Sequence, residues 1–222
     1  MVYRRTPAVQ RRLEAARVRL LDAATALVAE RGYAGCSMAA VAERAEVGTG
    51  TVYRYFPNKG ELFAEVFRNA CSREVAAATA AGALVAADSG SHVNAMVALV
   101  QTFAERALMA PTLAYALMAE PVDPLVDIER LAFRESYGDA LAAGTRAAIG
   151  AGEIPDQDAS ITGAAIVGAI GEALIMPLAQ GSADSKIVPA LITFTVRALG
   201  GSHDNDTRGH QPGSTIDRLR RG

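Results

Sequence analysis

An all-α fold is what this sequence predicts, and three observations predict it. Half of the 222 residues are hydrophobic while aromatics make up only 5%, a mix that suits packed Ala- and Leu-rich helices and gives a sheet few of the β-branched and aromatic runs it needs. Apolar residues recur at spacings of three and four rather than two, the period of a helix with one buried face. Turn signals then cut the chain into segments of helical length. A chain of this size holds one large domain or two small ones, and it buries a core without disulfide or metal staples.

Taken in order, Leu13, Ala16, Leu20, Ala24, Leu27 and Val28 form one apolar stripe along RRLEAARVRLLDAATALVAE, which closes at Arg31 and Gly32, a C-terminal stop. Ser37 offers an N-cap hydroxyl to a short helix, MAAVAERA, whose apolar side is Met38, Val41 and Ala45. Glu46 to Gly48 make a tight turn. The segment TGTVYRYF that follows is too short to be stable alone, and Pro57 with Asn58 ends it. A longer helix is expected from about Lys59 through Ala80, with Leu62, Val66, Ala70 and Glu74 roughly aligned. The remainder reads as a second set of helices near 91–108, 111–119, 124–150, 157–180 and 184–199. Their boundaries are Asp88 to Ser91, Pro111, EPVDP, GAGEIP, and Gly181 with Ser182. From Gly200 the chain turns polar and Gly-rich, and residues 200–222 are expected to be a disordered tail.

Several chemistries are disfavoured at this level. Cys36 and Cys71 each stand alone with no His nearby, and His92, His203 and His210 are scattered, so there is no ligand-pair spacing for a metal and no redox dithiol. The expectation is two reduced structural thiols in a cytoplasmic protein, with no metal and no cofactor. The basic N-terminus lacks the apolar core and cleavage site of a signal peptide. Residues 161–179 have the length of a membrane span, but Glu172 near the middle costs about 2.5–3.5 kcal/mol on insertion scales, and the expectation is no membrane association. A helix apolar on nearly all sides is otherwise buried between helices or across a subunit interface. The net charge of −2 hides an asymmetry: residues 1–75 hold 12 Lys and Arg against 8 Asp and Glu, and the rest 10 against 16. A basic N-terminal portion fits contact with phosphates, an acidic remainder orients the molecule away from them, and a solvated charge fluctuation is the alternative.

The stretch VGTGTVYRYFPNKGEL at 47–62 carries the chemistry. Its glycines do not make a nucleotide loop: a dinucleotide fingerprint needs a preceding strand and a third glycine, whereas here the preceding segment is helical and that glycine is absent. A Walker loop fails because Lys59 lies beyond the short helix. What remains is helix, tight turn, short helix, the layout of a helix-turn-helix. Small residues at its start permit close approach to a groove, hydroxyls reach base edges or phosphates, and phenols and a lysine grip the backbone. Val52 and Phe56, four apart, read as core.

The run SMAAVAERAEVGTGTVYRYFPNKGELF resembles the DNA-binding motif of the TetR family of bacterial transcriptional regulators, and the preceding helix with YAGCS resembles its first helix and connecting turn. The likeness covers roughly residues 10–70, with the helix-turn-helix at about 37–56. It implies that Tyr53 and Tyr55 contact phosphate and base, that Lys59 contacts phosphate, and that Thr49, Gly50 and Thr51 face the groove. With Ser37 and Arg54 these are the DNA-binding candidates. Two positions depart from the family pattern: Glu46 stands where it usually has Gly, and Gly48 where it has a Ser N-cap. The basic residues Arg4, Arg5, Arg11 and Arg12 form an arm that either adds contacts or supplies weak nonspecific attraction.

The resemblance further implies an N-terminal three-helix DNA-binding domain, placed at 1–82, joined to a larger helical ligand-binding and dimerisation domain, placed at 83–199. Met96, Phe103, Met109, Tyr115, Met118, Phe133 and Tyr137 are more aromatic and sulfur side chains than packing alone demands, and they are the ligand candidates together with Glu172. Glu172 has two roles open to it, a pocket carboxylate or an interface residue paired with Arg134 or Arg197. Helices 157–180 and 184–199, the first with Gly163, Gly168 and Gly171 for close approach, are the expected homodimer face. The functional expectation is a ligand-responsive repressor released from a palindromic operator by a small apolar or amphipathic effector. No nucleophile with a base at reach is visible, so no enzymatic activity is expected. The rivals are a helical enzyme or carrier with a vestigial motif, and a DNA-binding adaptor without ligand control.

Overall fold

The computed structural model describes residues 7–181 and 184–200, and every regular element among them is an α-helix. The elements are α1 (Pro7–Arg31), α2 (Met38–Arg44), α3 (Thr49–Tyr55), α4 (Lys59–Ser89), α5 (His92–Met109), α6 (Pro111–Met118), α7 (Pro124–Gly150), α8 (Ala159–Gln180) and α9 (Ile187–Ala198). The expected tail from 201, the turn residue Ser182, and Arg4 and Arg5 lie outside the described residues.

Local chemistry sets most of these boundaries. Side-chain oxygens of Ser37, Asn58, Ser91, Asp123 and Asp158 accept from first-turn amides of α2, α4, α5, α7 and α8, satisfying donors that a helix start leaves unpaired. Pro111 and Pro124 occupy first-turn positions where no donor is needed. Gly32, Gly90 and Gly181 adopt positive φ and close α1, α4 and α8, conformations that cost a side-chain-bearing residue more.

Two boundaries differ from expectation. Helix α1 starts at Pro7, so Arg11 and Arg12 are exposed residues of a helix rather than of an arm; nothing in PAVQRRL breaks a helix and Pro favours its first turn. Helix α4 runs on from Ala80 to Ser89 before Gly90 stops it, because AAATAAGALVAADS is rich in the best helix former. Gly82 does not interrupt it; a methyl group there would come within 2.9 Å of the Ala95 carbonyl of α5, so the glycine permits two helices to cross closely. The expected division at 82/83 thus falls inside α4.

Helices α1 to α3 and the first turns of α4 enclose one cluster, with Leu27, Val28, Val41, Val52, Leu62 and Phe63 buried. The body is built on α4, which packs against α5 and α7; α7 packs against α8, α5 against α9, and α6 spans from α1 to α8. Ion pairs Arg17–Glu65, Arg44–Glu30, Arg68–Glu129 and Arg106–Glu74 tie neighbouring helices, each partly exposed and therefore weakened by solvent screening.

By length and composition α8 is able to cross a membrane, with a mean hydropathy of 1.8. Its inner face is packed: Gly163, Ile166, Ile170, Leu174 and Leu178 are buried. Gly163 serves an approach within the chain, since a methyl group there would come within 2.5 Å of the Gly138 carbonyl of α7. This corrects its expected place on a dimer face. The outer face leaves Ile161 and Met176 exposed, and α9 leaves Phe194 exposed.

Candidate nucleic-acid interface and internal cavity

The turn between α2 and α3 is closed by backbone bonds alone. The Val47 amide donates to the Ala42 carbonyl at 3.0 Å and the Glu46 amide to Glu43 at 3.1 Å, the paired pattern of a Schellman end. Its left-handed residue is Glu46, at φ 55, and it is the one non-glycine with positive φ among the described residues. A residue with a side chain costs about 1–2 kcal/mol there. Gly48 caps α3 in an extended conformation without a side-chain acceptor, and a side chain built on it would meet nothing within 4 Å.

Seven residues are too few for a helix to hold itself together, and α3 is held by its inner face. Val52 and Phe56 are buried, and the Arg17 guanidinium lies 5.0 Å from the Phe56 ring centre. The other face is free: Thr49, Gly50, Tyr53 and Arg54 are exposed, and Thr51 and Tyr55 are half-buried. Tyr53 is 51% exposed, although a phenol ring is the kind of side chain that folding normally covers. Gly50 has open space where a side chain would be, so no packing within the chain requires it. Arg54 stands 5.4 Å from the Tyr55 ring centre, and no acid pairs with it among the described residues. Arg44, by contrast, is held by Glu30 at 2.6 and 2.7 Å. Ser37 is exposed and its hydroxyl accepts from the Ala40 amide at 3.1 Å.

Lys59 also has partners within the chain that the sequence does not announce. Its Nζ donates to the Tyr33 carbonyl at 3.0 Å and stands 4.0 Å from the Tyr33 ring centre. One of its three protons is therefore committed to the α1–α2 turn, and the sequence gives no sign of this because the partner is a main-chain atom 26 residues away.

A second feature is a cavity of about 70 Å³ inside the body, between α5, α6, α7 and α8. Phe103, Met118, Phe133, Tyr137 and Glu172 line it. The three rings form one cluster, with Phe103–Tyr137 and Phe133–Tyr137 centres 4.9 and 5.0 Å apart. The Tyr137 hydroxyl donates to the Glu74 carbonyl at 3.1 Å, and burial pushes its pKa well up. A smaller void of about 40 Å³ adjoins, sharing Phe103, Leu117, Met118 and Phe133 with the first. Leu99, Leu141, Val167 and Ile170 also line the larger cavity; sequence reasoning missed them because a cavity wall and a packed core use the same aliphatic residues.

Met96, Met109 and Tyr115 do not line it. Met96 is buried against α7, so close to Gly144 that a methyl group there would meet its Cγ at 2.7 Å. Met109 ends α5 and is 78% exposed, and Tyr115 packs half-buried on the core. Glu172 and Arg134 are exposed residues at the cavity edge, and neither Arg134 nor Arg197 pairs with Glu172 among the described residues. Gly168 and Gly171 line the cavity as well, Gly171 with the Met118 methyl 3.9 Å from where its side chain would begin. Both cysteines are buried; burial raises the Cys36 thiol and pushes Cys71 up to about 12.

Residues 20–66 match the family model of bacterial regulatory proteins, tetR family. Over 81 residues the chain is 41% identical to the HTH-type transcriptional repressor KstR of Mycobacterium tuberculosis, a stretch covering 36% of each chain. Over 46 residues it is 56% identical to KstR of Rhodococcus jostii, covering 21% of this chain and 22% of the relative. The alignment thus spans about a third or less of these relatives' length. The whole architecture resembles that of the transcriptional regulator FadR from Bacillus subtilis in complex with stearoyl-CoA, with TM-score 0.68, 18% identity, and coverage of 84% of this chain and 99% of that one. At that identity the likeness is one of fold.

Proposed function

We propose that this chain, whose residues 20–66 match the family model of bacterial regulatory proteins of the tetR family, is a cytoplasmic homodimeric transcriptional repressor that leaves a palindromic operator when an apolar or amphipathic effector enters its body. The observation that carries this reading is the outer face of α3. Thr49, Gly50, Tyr53 and Arg54 are exposed, and among the described residues nothing packs where a side chain on Gly50 would begin, while Val52 and Phe56 anchor the same helix firmly. In this reading Thr49, Gly50 and Thr51 enter the major groove, Tyr53, Arg54 and Tyr55 contact phosphate and base, and Ser37 and Lys59 hold the flanking backbone.

The exposed apolar residues of α8 and α9, Ile161, Met176 and Phe194, support a two-fold interface. Such symmetry places two α3 helices on half-sites one turn apart, about 34–36 Å. The aromatic cavity supports an effector site, and the reading assigns the chain no catalytic role. As it stands the cavity is small. Met118, flexible and shared by both voids, is the side chain whose rotation joins them into a site for an elongated molecule. An effector shifts the protein only if it binds the released conformer more tightly than the operator-bound one.

The test is selection of duplexes from a random pool, followed by affinity titrations at two salt concentrations with and without stearoyl-CoA as a first probe. A palindromic site bound with a steep salt slope supports the reading. Tyr53→Ala should weaken that site about tenfold or more while leaving the melting temperature unchanged. Equal affinity of Tyr53→Ala and wild type would sink the assignment of α3.

A further inference from the structure

We propose that Glu120 couples the state of the internal cavity to the turn that launches α2, an inference that rests on reading that cavity as an effector site. Leu117 and Met118 of α6 and Arg130 of α7 line the cavity. The Arg130 side chain folds over the end of α6: its Nε donates to the Leu117 carbonyl at 3.0 Å, and Nη2 donates to the carbonyls of Ala116 at 3.1 Å and Glu120 at 2.7 Å. Carbonyls at a helix end have no donor within the helix, so the guanidinium, 12% exposed, holds the end of α6 and Glu120 as one unit.

From that unit the Glu120 carboxylate reaches the head. It accepts from the Tyr33 amide at 2.7 Å and the Ala34 amide at 2.9 Å. The Tyr33 carbonyl in turn accepts from Lys59 at 3.0 Å. Both main-chain groups of Tyr33 are therefore fixed, one from the body and one from the start of α4. Gly32 makes room: its φ is 69, and a methyl group there would come within 2.9 Å of the Glu120 carboxylate. Ser37, the cap of α2, follows three residues after Ala34.

An occupant that pushes Leu117 and Met118 aside, or draws Arg130 toward itself, moves the end of α6 and with it the carboxylate. Bonds to an ionised acceptor are strong and directional, so the 33–34 turn either follows or loses its anchor. Each outcome alters how α2, and α3 behind it, sit on α1.

Hydrogen exchange at the Tyr33 and Ala34 amides reads this coupling without DNA. Val167→Phe places a ring in the cavity from the α8 wall, and Val167→Leu is the milder version should the first fail to fold. The expected result is exchange about tenfold faster or more at both amides, with the middle of α4 unchanged. Glu120→Ala should speed the same amides by a similar factor, and combining it with Val167→Phe should add nothing further. Unchanged exchange in the filled variants, or full additivity in the double variant, overturns the proposal. DNA titration of the same proteins separates the two possible failures. Coupled exchange without any DNA binding removes the regulator reading and keeps Glu120 as the link; DNA binding with uncoupled exchange does the reverse.

Discussion

In the head, Val28, Val41, Val52, Leu62 and Phe63 are fully buried, and among the described residues its exposed large apolar or aromatic side chains are Val18 and Tyr53. In the body, two voids lie among Phe103, Met118 and Phe133, while Leu84, Met109, Ile128, Leu131, Ile161 and Met176 are exposed. The head is thus packed to present a fixed surface, and the body is left with unfilled space inside and uncovered apolar surface outside. A surface that must match another molecule needs rigid support, whereas a site that must admit a guest retains room and movable side chains.

The largest test of this contrast is a pair of truncations. Phe56→Ala should destabilise by about 3–5 kcal/mol, because its whole ring is buried, while Met118→Ala should cost about 2 kcal/mol, the low end for such a change, since one side already faces a void. Urea unfolding measures both, and equal losses would break the contrast. The next effect concerns pH. The Cys71 thiol has its folded pKa raised by burial to about 12 from an ordinary 9.0, so the unfolded chain ionises first. The stability it contributes is complete below pH 9.0 and declines as the pH rises toward about 12. Urea midpoints across that window should fall less in Cys71→Ala than in wild type.

A smaller change sharpens the picture of the α2–α3 turn. Glu46→Gly removes left-handed strain but loosens the unfolded chain, and the expected net gain is about 0.5–1 kcal/mol, read as a rise in urea midpoint. Smallest is Gly48→Ser, which supplies the missing cap acceptor into open space; a gain of a few tenths of a kcal/mol, about the difference between these caps, is expected from thermal melts.

The difference between head and body also explains what was legible in the sequence. The helix-turn-helix is written in adjacent residues: Ser37 as cap, the break at Glu46 to Gly48, and Val52 and Phe56 four apart, so local rules suffice to place it. The helices of the body were legible from Pro, Gly and Asp at their ends. The cavity was legible only in part, because Phe103, Phe133 and Tyr137 line it while Met96 and Met109, identical in chemistry to Met118, do not. Whether a methionine meets a void or a neighbour depends on helix rotation, which composition does not encode. The Glu120 and Lys59 contacts were not legible at all, since they join side chains to main-chain atoms distant in sequence.

Helix α4 is 31 residues long, a rod of about 46 Å. Its close crossing with α5 is at Gly82, near one end, and Lys59 begins the other end about 34 Å away at helical rise. Leverage follows from those proportions. A tilt of about 5° at the crossing sweeps the Lys59 end through about 3 Å. In a two-fold pair with opposed tilts the separation of the heads would change by about 6 Å, nearly twice the rise of about 3.4 Å between successive base pairs. If the chain works as the dimeric regulator proposed above, a slight rotation of the body would be enough to carry the heads more than one base-pair step out of register with a duplex.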